Sequence, residues 1–266
     1  MVEHAHSDVS EADPSVVSVS RTLQEDGVSV EHVDAVVAEV PVAMSFNGIS
    51  YAVMMATPCD LKDFICGFAI GEGIVDSSQA IFDIDIEFGD LGIDVNATVS
   101  NETAHRLKSR RRSMAGPSGC GLCGIESIEH MTRNILPLRA AQLPSQAALD
   151  KALSDMRDRQ VVSQSTSGAH AAVWCDMDGN IVSLREDVGR HNALDKLIGW
   201  HSVKPADGFV LVSSRASYEM VAKAATAGIG VLAAVSAPTS MAIETAKAAN
   251  LKLMAFASNG RHALYS

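Results

Sequence analysis

The sequence predicts an α/β protein whose N-terminal part is of α+β type. Up to residue 100 the chain is dominated by period-two alternation around a single helical segment. Beyond residue 146, apolar strand runs alternate with helical runs across short loops. Between the two rhythms lies "LPLRAAQLPS" (136–145), a stretch with two prolines that reads as a linker. These observations divide the chain into a disordered polar tail (1–13), an α+β domain (14–140) ending in a cysteine-bearing loop, and a layered α/β domain (141–266). Strand/helix alternation with short loops predicts a largely parallel sheet for the last of these.

Taken in order, Val16 to Val53 reads as strands, "VVSVS" and then "VDAVVAEVPVAMSFNGISYAVMM", with Asn47-Gly48 as a hairpin turn. A helix follows. Thr57 is its expected N-cap, with Pro58 at the first helical position and Asp60 at the third. Leu61, Phe64, Ile65 and Phe68 share one face, and Gly71 or Gly73 suits the stop. "IFDIDIEFGDLGIDVNATVS" (81–100) alternates and reads as two more strands. From Ala104 to the cysteines a loop-rich segment around a short helix is expected. A helix over about 146–159 then precedes strand "HAAVWC", turn "DMDGN" and strand "IVSLRE". After "DVGRHNALDKLIGW" come strand "FVLVSS", helix "SYEMVAKAATAG", strand "VLAAVSA", helix "TSMAIETAKAAN" and a last strand, "LKLMAFA".

Charge and cysteine content narrow the function. A formal net charge of −11 excludes a generic nucleic-acid binder, which needs a basic face. Lys108, Arg110, Arg111 and Arg112 nevertheless form a basic island, which reads either as a solvated face or as an anion or thiolate site. Five cysteines do not make a disulfide framework, and a reduced, cytoplasmic setting is expected. The first residues hold no apolar h-region, and no run approaches the roughly 18 apolar residues of a membrane span. No membrane or nucleic-acid partner is therefore expected.

Cys120-Gly-Leu-Cys123, within "PSGCGLCG", is the strongest chemical feature. It fits half of a zinc site, a disulfide switch or a sulfur nucleophile on a movable loop. A structural zinc site wants four ligands, and no second CxxC or finger-like histidine pair supplies the rest. No H-x-E precedes it as in the zinc deaminases. Flanking glycines favour a mobile loop, and nearby guanidinium charge favours a thiolate. No metal ligands are assigned. Cys59 and Cys66, seven apart on the expected helix, and Cys175 at a strand end read as packing residues.

Four further segments follow expected strand ends: "REDVGRHNALDK", with Arg190 and His191 at a strand-to-helix turn; "SSRASYEM", with Arg215; "SAPTS"; and "ASNGR". Ligands of open α/β sheets bind at the carboxyl ends of strands, so these loops are expected to line one crevice for a phosphorylated ligand.

"SGCGLCG", "EDVGRHNALDK", "LVSSRASYEMV.KAA" and "NLKLMAFASNGR", in this order, resemble the FdhD family of formate dehydrogenase accessory sulfurtransferases, from about Val40 nearly to the C-terminus. The resemblance implies a C-terminal three-layer α/β/α domain of cytidine-deaminase-like fold without the deaminase zinc ligands. It implies a cytoplasmic homodimer that takes sulfur from a cysteine desulfurase as a persulfide. The sulfur then goes to the molybdenum cofactor, bis-molybdopterin guanine dinucleotide, before insertion into formate dehydrogenase. Cys120 matches the persulfide carrier and Cys123 its accessory partner. Phe256, Ala257, Ser258, Asn259, Gly260 and Arg261 match the cofactor-contacting segment, and GDP-like guanine nucleotides are expected at the same site. Arg190, His191 and Arg215 are the other residues expected to meet the cofactor's pyrophosphates, with Arg261. The rival readings are a cofactor-binding chaperone that transfers no sulfur and a zinc-binding CxxC protein.

Overall fold

The computed structural model describes residues 14–114 and 135–266, and of residues 109–114 the backbone alone. The expected tail (1–13) and the Cys120–Cys123 loop lie outside the described residues.

The first strands are longer than "VVSVS" led us to expect. β1 (Val16–Glu25) and β2 (Val28–Val37) pair antiparallel over ten positions as a separate two-stranded ribbon. Their turn is Asp26-Gly27, with φ 50° and 82°, the positive torsions that a two-residue hairpin of right-handed twist requires. β3 (Val40–Phe46) and β4 (Ile49–Ala56) join through Asn47-Gly48, as expected, with φ 50° and 72°. The Asn47 amide locks this turn to the neighbouring strand: it donates to the Val99 carbonyl at 2.9 Å and accepts from the Val99 N–H at 2.7 Å. With β5 (Ile81–Gly89) and β6 (Gly92–Val99) they form a four-stranded sheet of order β4-β3-β6-β5, in which only β3 and β6 run parallel.

Helix α1 (Leu61–Gly71) starts later than the expected cap at Thr57. Asp60, with φ 52°, is the residue before the first turn. Thr57 is recruited elsewhere: its N–H donates to Asp187 Oδ2 at 3.0 Å, and its hydroxyl accepts from the Val188 N–H at 3.1 Å. A partner 130 residues away thus overrides a local capping pattern. The stop is as expected. Gly73 (φ 63°) donates to the Ile70 carbonyl and Ile74 to the Ala69 carbonyl, the pair of bonds that closes a helix through a left-handed residue. Instead of a loop with a short helix, α2 (Asn101–Met114) runs for 14 residues and carries the basic island on its second half. Ser100 Oγ accepts from the Thr103 N–H and caps its start.

Residues 135–145 run along the C-terminal part, where Leu138 donates to the Ala249 carbonyl and accepts from Asn250 Nδ2. The expected helix follows as α3 (Gln146–Arg159), its first turn capped by Ser145 Oγ, and then a short α4 (Val161–Thr166). β7 (His170–Cys175), β8 (Ile181–Asp187), α5 (Arg190–Val203), β9 (Phe209–Val212), α6 (Tyr218–Thr226), β10 (Val231–Ala234), α7 (Ser240–Ala248), β11 (Lys252–Ser258) and β12 (Arg261–Leu264) complete the chain. The sheet order is β12-β11-β10-β9-β7-β8.

This sheet is mixed rather than largely parallel. The only parallel neighbours are β9 with β10 and β10 with β11, while β7 is antiparallel to both β8 and β9, and β12 to β11. The cause is local. β7 and β8 are joined by the Asp176–Asn180 turn, whose Asp176 carboxylate accepts from the N–H groups of Asp178 and Asn180. A connection that short can only make a hairpin. "LKLMAFA" is likewise followed by a further strand, β12, across Asn259-Gly260.

The strands alternate cleanly between two cores. Ala172, Trp174, Val210, Val212, Leu232 and Ala234 face α5, α6 and α7, while Val173, Cys175, Phe209, Leu211, Val231 and Ala233 face α3. The result is three layers, α/β/α. The first of these cores continues across α1 into the inner face of the four-stranded sheet, through Val42, Met44, Phe46 and Val95. Two glycines allow α1 and α5 to touch backbone to backbone. A Cβ at Gly67 would drive into the Asp195 carbonyl, and one at Gly199 into the Asp63 carbonyl.

Candidate functional site

β8 lies parallel to β9, β10 and β11, so the four strand ends expected to share an edge do so. Three of them lead directly into helices: β8 into α5, β9 into α6 and β10 into α7. The loops are stitched together in strand order. Ser213 N–H donates to the Ala171 carbonyl, Ser236 N–H to the Ser214 carbonyl and Phe256 N–H to the Ser236 carbonyl. Ala216 and Pro238 form an isolated parallel bridge between two of them.

Two helix starts at this edge lack a side-chain cap. Gly189 precedes α5 and Ser217 precedes α6, and neither accepts from its helix through a side chain. The first-turn N–H groups of both helices therefore retain their partial positive charge for a ligand. α7 differs, because Thr239 Oγ1 accepts from the Ala242 N–H.

His191 joins the two open helix starts. Its Nε2 lies 3.0 Å from Glu219 Oε2 and 3.4 Å from Ser217 Oγ. The hydrogen bond to His191 holds the Glu219 carboxyl below its usual range. Arg190 is half-buried, and its Nε has no hydrogen-bond partner among the described residues. Arg215 is exposed in the loop after β9.

Phe256 departs furthest from relaxed geometry. It is an aromatic residue with φ 53°, it sits at an irregularity of the β11–β12 ladder, and the residue is 41% exposed. A bulky side chain at positive φ is a genuine outlier, and such strain concentrates at ligand sites. The rest of the segment divides. Ala257 is buried in the core against α3, and Ser258 ends the strand half-buried. Asn259, Gly260 and Arg261 are exposed, and the Gly260 N–H donates to Asp150 of α3. β8 and β12 are the two outermost strands, so Arg190 and Arg261 stand at opposite ends of an edge roughly 24 Å long.

Beneath the edge, the body of α5 is anchored by buried charge. Lys196 Nζ lies 2.7 Å from Asp187 Oδ2, both side chains being fully buried, and donates to the Thr57 carbonyl at 2.9 Å. Asp187 Oδ1 accepts from the Gly189 N–H and from Asn192 Nδ2, which also donates to the Met55 carbonyl. One carboxylate thereby fixes both the turn that presents Arg190 and His191 and its attachment to the strand before α1. At the residue before Lys196, Lys223 bridges Asp195 at 2.8 Å and also Glu72 at 3.0 Å. Burial pushes the Asp195 carboxyl up to about 6 against the pull of Lys223. Burial works against the Lys223 charge too, but Asp195 and Glu72 hold its ammonium above the usual value. Arg185 adds a third bridge, at 2.6 Å to Asp63.

Several of these groups were not among the expected site residues. His170 opens β7, and antiparallel pairing puts the start of β7 at the same edge as the ends of its neighbours. Burial lowers its pKa, and the charges of Arg190 and His191 lower it further. Its sequence signal, a histidine before an apolar run, becomes informative only once the strand direction is known. Asp187 and Lys196 were visible as letters in a motif, but nothing local marked them as a pair.

The described cysteines fall into two kinds. Cys66 and Cys175 are buried packing residues, as expected, and burial pushes their thiols up to about 11 and about 12. Cys59 is not on the helix with Cys66 but in the turn before it. Its sulfur lies 3.5 Å from Lys196 Nζ, and burial raises its pKa. It borders a groove of about 360 Å³ that Ile86 and Phe88 also line. Among the described residues, no group of three or more His, Cys, Asp and Glu side chains could hold a metal ion. None of the described helices is long and apolar enough to cross a membrane.

Fold and site together define an α/β/α protein with a polar edge built from strand-to-helix turns, docked through α1 to a small four-stranded sheet. More narrowly, the chain belongs to the FdhD/NarQ family, whose model matches residues 37–266. It is similar to the protein named sulfur carrier protein FdhD in Cupriavidus necator, 48% identical over 236 residues that cover 88% of this chain and 82% of that one. The protein of the same name in Acinetobacter baylyi is 45% identical over 259 residues, covering 94% of this chain and 92% of that one. The crystal structure of a Desulfotalea psychrophila protein, provisionally described as a formate dehydrogenase accessory protein, superposes with a TM-score of 0.76 at 22% identity. It covers 95% of this chain and 97% of that one, and shows the shared fold.

Proposed function

We propose that this chain is a sulfur carrier that serves the maturation of formate dehydrogenase. In this reading Cys120 takes sulfur from a cysteine desulfurase as a persulfide. Its thiolate attacks the outer sulfur of the donor persulfide, one S–S bond forms as another breaks, and the donor leaves as a thiolate. Cys123 is its accessory partner. The acceptor is the molybdenum cofactor, bis-molybdopterin guanine dinucleotide, held as cargo along the strand-end edge before delivery to the enzyme. The carrier works in the cytoplasm as a homodimer.

The observation that carries the cargo half of this reading is the convergence, on one edge, of two uncapped helix starts with Arg190, His191 and Arg215. Backbone N–H groups and guanidinium groups are what pyrophosphate oxygens require. Phe256, exposed at the same edge, offers a flat face for a ring system, and Arg261 a further cation. Such an edge is long enough for a dinucleotide. The names of the two curated relatives support the sulfur half.

The test is to load the purified protein with a cysteine desulfurase and cysteine, and to weigh it under non-reducing conditions. An adduct of about +32 Da, one sulfur atom, is expected on the native chain and absent from Cys120→Ala. An adduct that persists in Cys120→Ala removes the assignment. Absence of any adduct together with undiminished cofactor delivery would leave a chaperone that transfers no sulfur.

A further inference from the structure

His191 is wanted by an anionic cargo, yet its Nε2 already faces a carboxylate. Glu219 Oε2 lies 3.0 Å away, nearer than Ser217 Oγ at 3.4 Å. His191 stands in the first turn of α5 and Glu219 in the first turn of α6, so the pair spans the two uncapped helix starts. An acid suits the start of α6, where the helix dipole is positive. It also carries the same sign as the phosphate that these helix starts attract.

Glu219 is placed to move. Among the described residues, its ion-pair partner is His191 alone. Lys223, one turn further along α6, is taken up by Asp195 and Glu72. The Glu219 side chain is 54% exposed, with water beside it, whereas Asp187 and Asp195 are buried and tied to lysines. The hydrogen bond from His191 holds the Glu219 carboxyl below its usual range, so it is an anion at neutral pH.

We propose that Glu219 is a resident anion of the cargo edge, bound to His191 before cargo docks and exchanged there for a phosphate of the ligand. An imidazole N–H serves one acceptor well, so carboxylate and phosphate compete for it. As the ligand docks, Glu219 turns out to solvent, and the His191 N–H and the Ser217 hydroxyl face a phosphate oxygen. As the ligand leaves, the carboxylate returns and again offsets the charge of Arg190 and His191. Binding is weaker than the cations alone would give, because part of the population is held in the closed arrangement. A carrier that must hand its cargo on requires that weakness.

The inference rests on the cargo edge of the function proposed above and is independent of its sulfur chemistry. Calorimetric titration with inorganic pyrophosphate, repeated with GDP, compares the native chain, Glu219→Gln, His191→Ala and the double variant. Glu219→Gln is expected to bind both ligands about tenfold more tightly, as for removal of one like charge a few ångströms from the ligand. Glu219→Ala is expected to repeat that gain, which excludes a new hydrogen bond from glutamine as its source. In the His191→Ala background, with no imidazole to compete for, Glu219→Gln is expected to gain less than about threefold. Affinity unchanged or weakened by both Glu219 substitutions overturns the exchange. So does a gain of equal size with and without His191, which is the mark of a charge acting at a distance. A native chain and a Glu219→Gln variant that both bind neither ligand overturn the cargo edge itself.

Discussion

Helix α5 is one element with two treatments of charge. Along its body Asp195 and Lys196 are buried, and each is paired with a partner from another element: Asp195 with Lys223, Lys196 with Asp187. At its first turn Arg190 keeps a guanidinium nitrogen without a partner among the described residues, the helix start has no side-chain cap, and His191 reaches to the exposed Glu219 and the half-buried Ser217. The difference separates assembly from binding. Buried pairs tie the strand before α1, α1 itself and the layered part into one core, and removing one partner leaves an uncompensated charge. Charges left open at a helix start do little for the fold and are available to an anion.

The largest effect is expected where that pairing is broken. Lys196→Met strands Asp187 in a fully buried position, and urea unfolding should show a loss of about 3–5 kcal/mol. Asp187→Asn combined with Lys196→Met removes both charges and should recover part of that loss. A Lys196→Met variant as stable as the native chain would mean that the pair does not anchor α5. Next comes the backbone contact that lets α5 sit so close to α1. Gly199→Ala puts a methyl group into the Asp63 carbonyl, and a loss of about 1–3 kcal/mol is expected from the same measurement.

A smaller effect sharpens the contrast at the far end of the helix. His201 stacks on Trp174 with ring centroids 3.8 Å apart, and burial lowers its pKa below the ordinary 6.5. A histidine held neutral in the fold contributes its full stability above pH 6.5. That stability is lost as pH falls below 6.5 toward the folded value, since the unfolded chain takes up the proton first. Melting temperature followed from pH 8 to pH 5 should therefore fall less in His201→Phe than in the native chain. Parallel curves would place His201 outside this linkage.

Which parts of this picture could be read from the sequence follows from how local their causes are. α3 was legible because Ser145 caps it from the adjacent position, and the Asn47-Gly48 turn because its torsions belong to two residues. Asp26-Gly27 carries the same signal, and with it the full length of β1 and β2 could have been read. The start of α1 could not, since Thr57 answers to Asp187 rather than to its own helix. Nor could strand direction in the six-stranded sheet, which the Asp176–Asn180 and Asn259-Gly260 turns set. The site divides in the same way. Four loops at strand ends were readable as candidates, and the fold gathers them on one edge. His170 joins that edge only through antiparallel pairing, and Ala257 leaves it because alternation turns its side chain toward α3. Cys120 and Cys123 lie outside the described residues, so their part rests on the CxxC motif and the family.

The most direct test of the division within α5 is calorimetric titration with GDP, comparing the native chain with Arg190→Ala combined with Arg215→Ala. Binding to the native chain is expected, weakened at least about tenfold in the double variant, as for the loss of charge-assisted hydrogen bonds to phosphate. The melting temperature should stay within a few degrees, as for changes away from the core. Equal affinity in the two proteins, or a double variant that fails to fold, would contradict the claim that the first turn of α5 serves the ligand while its body serves the fold.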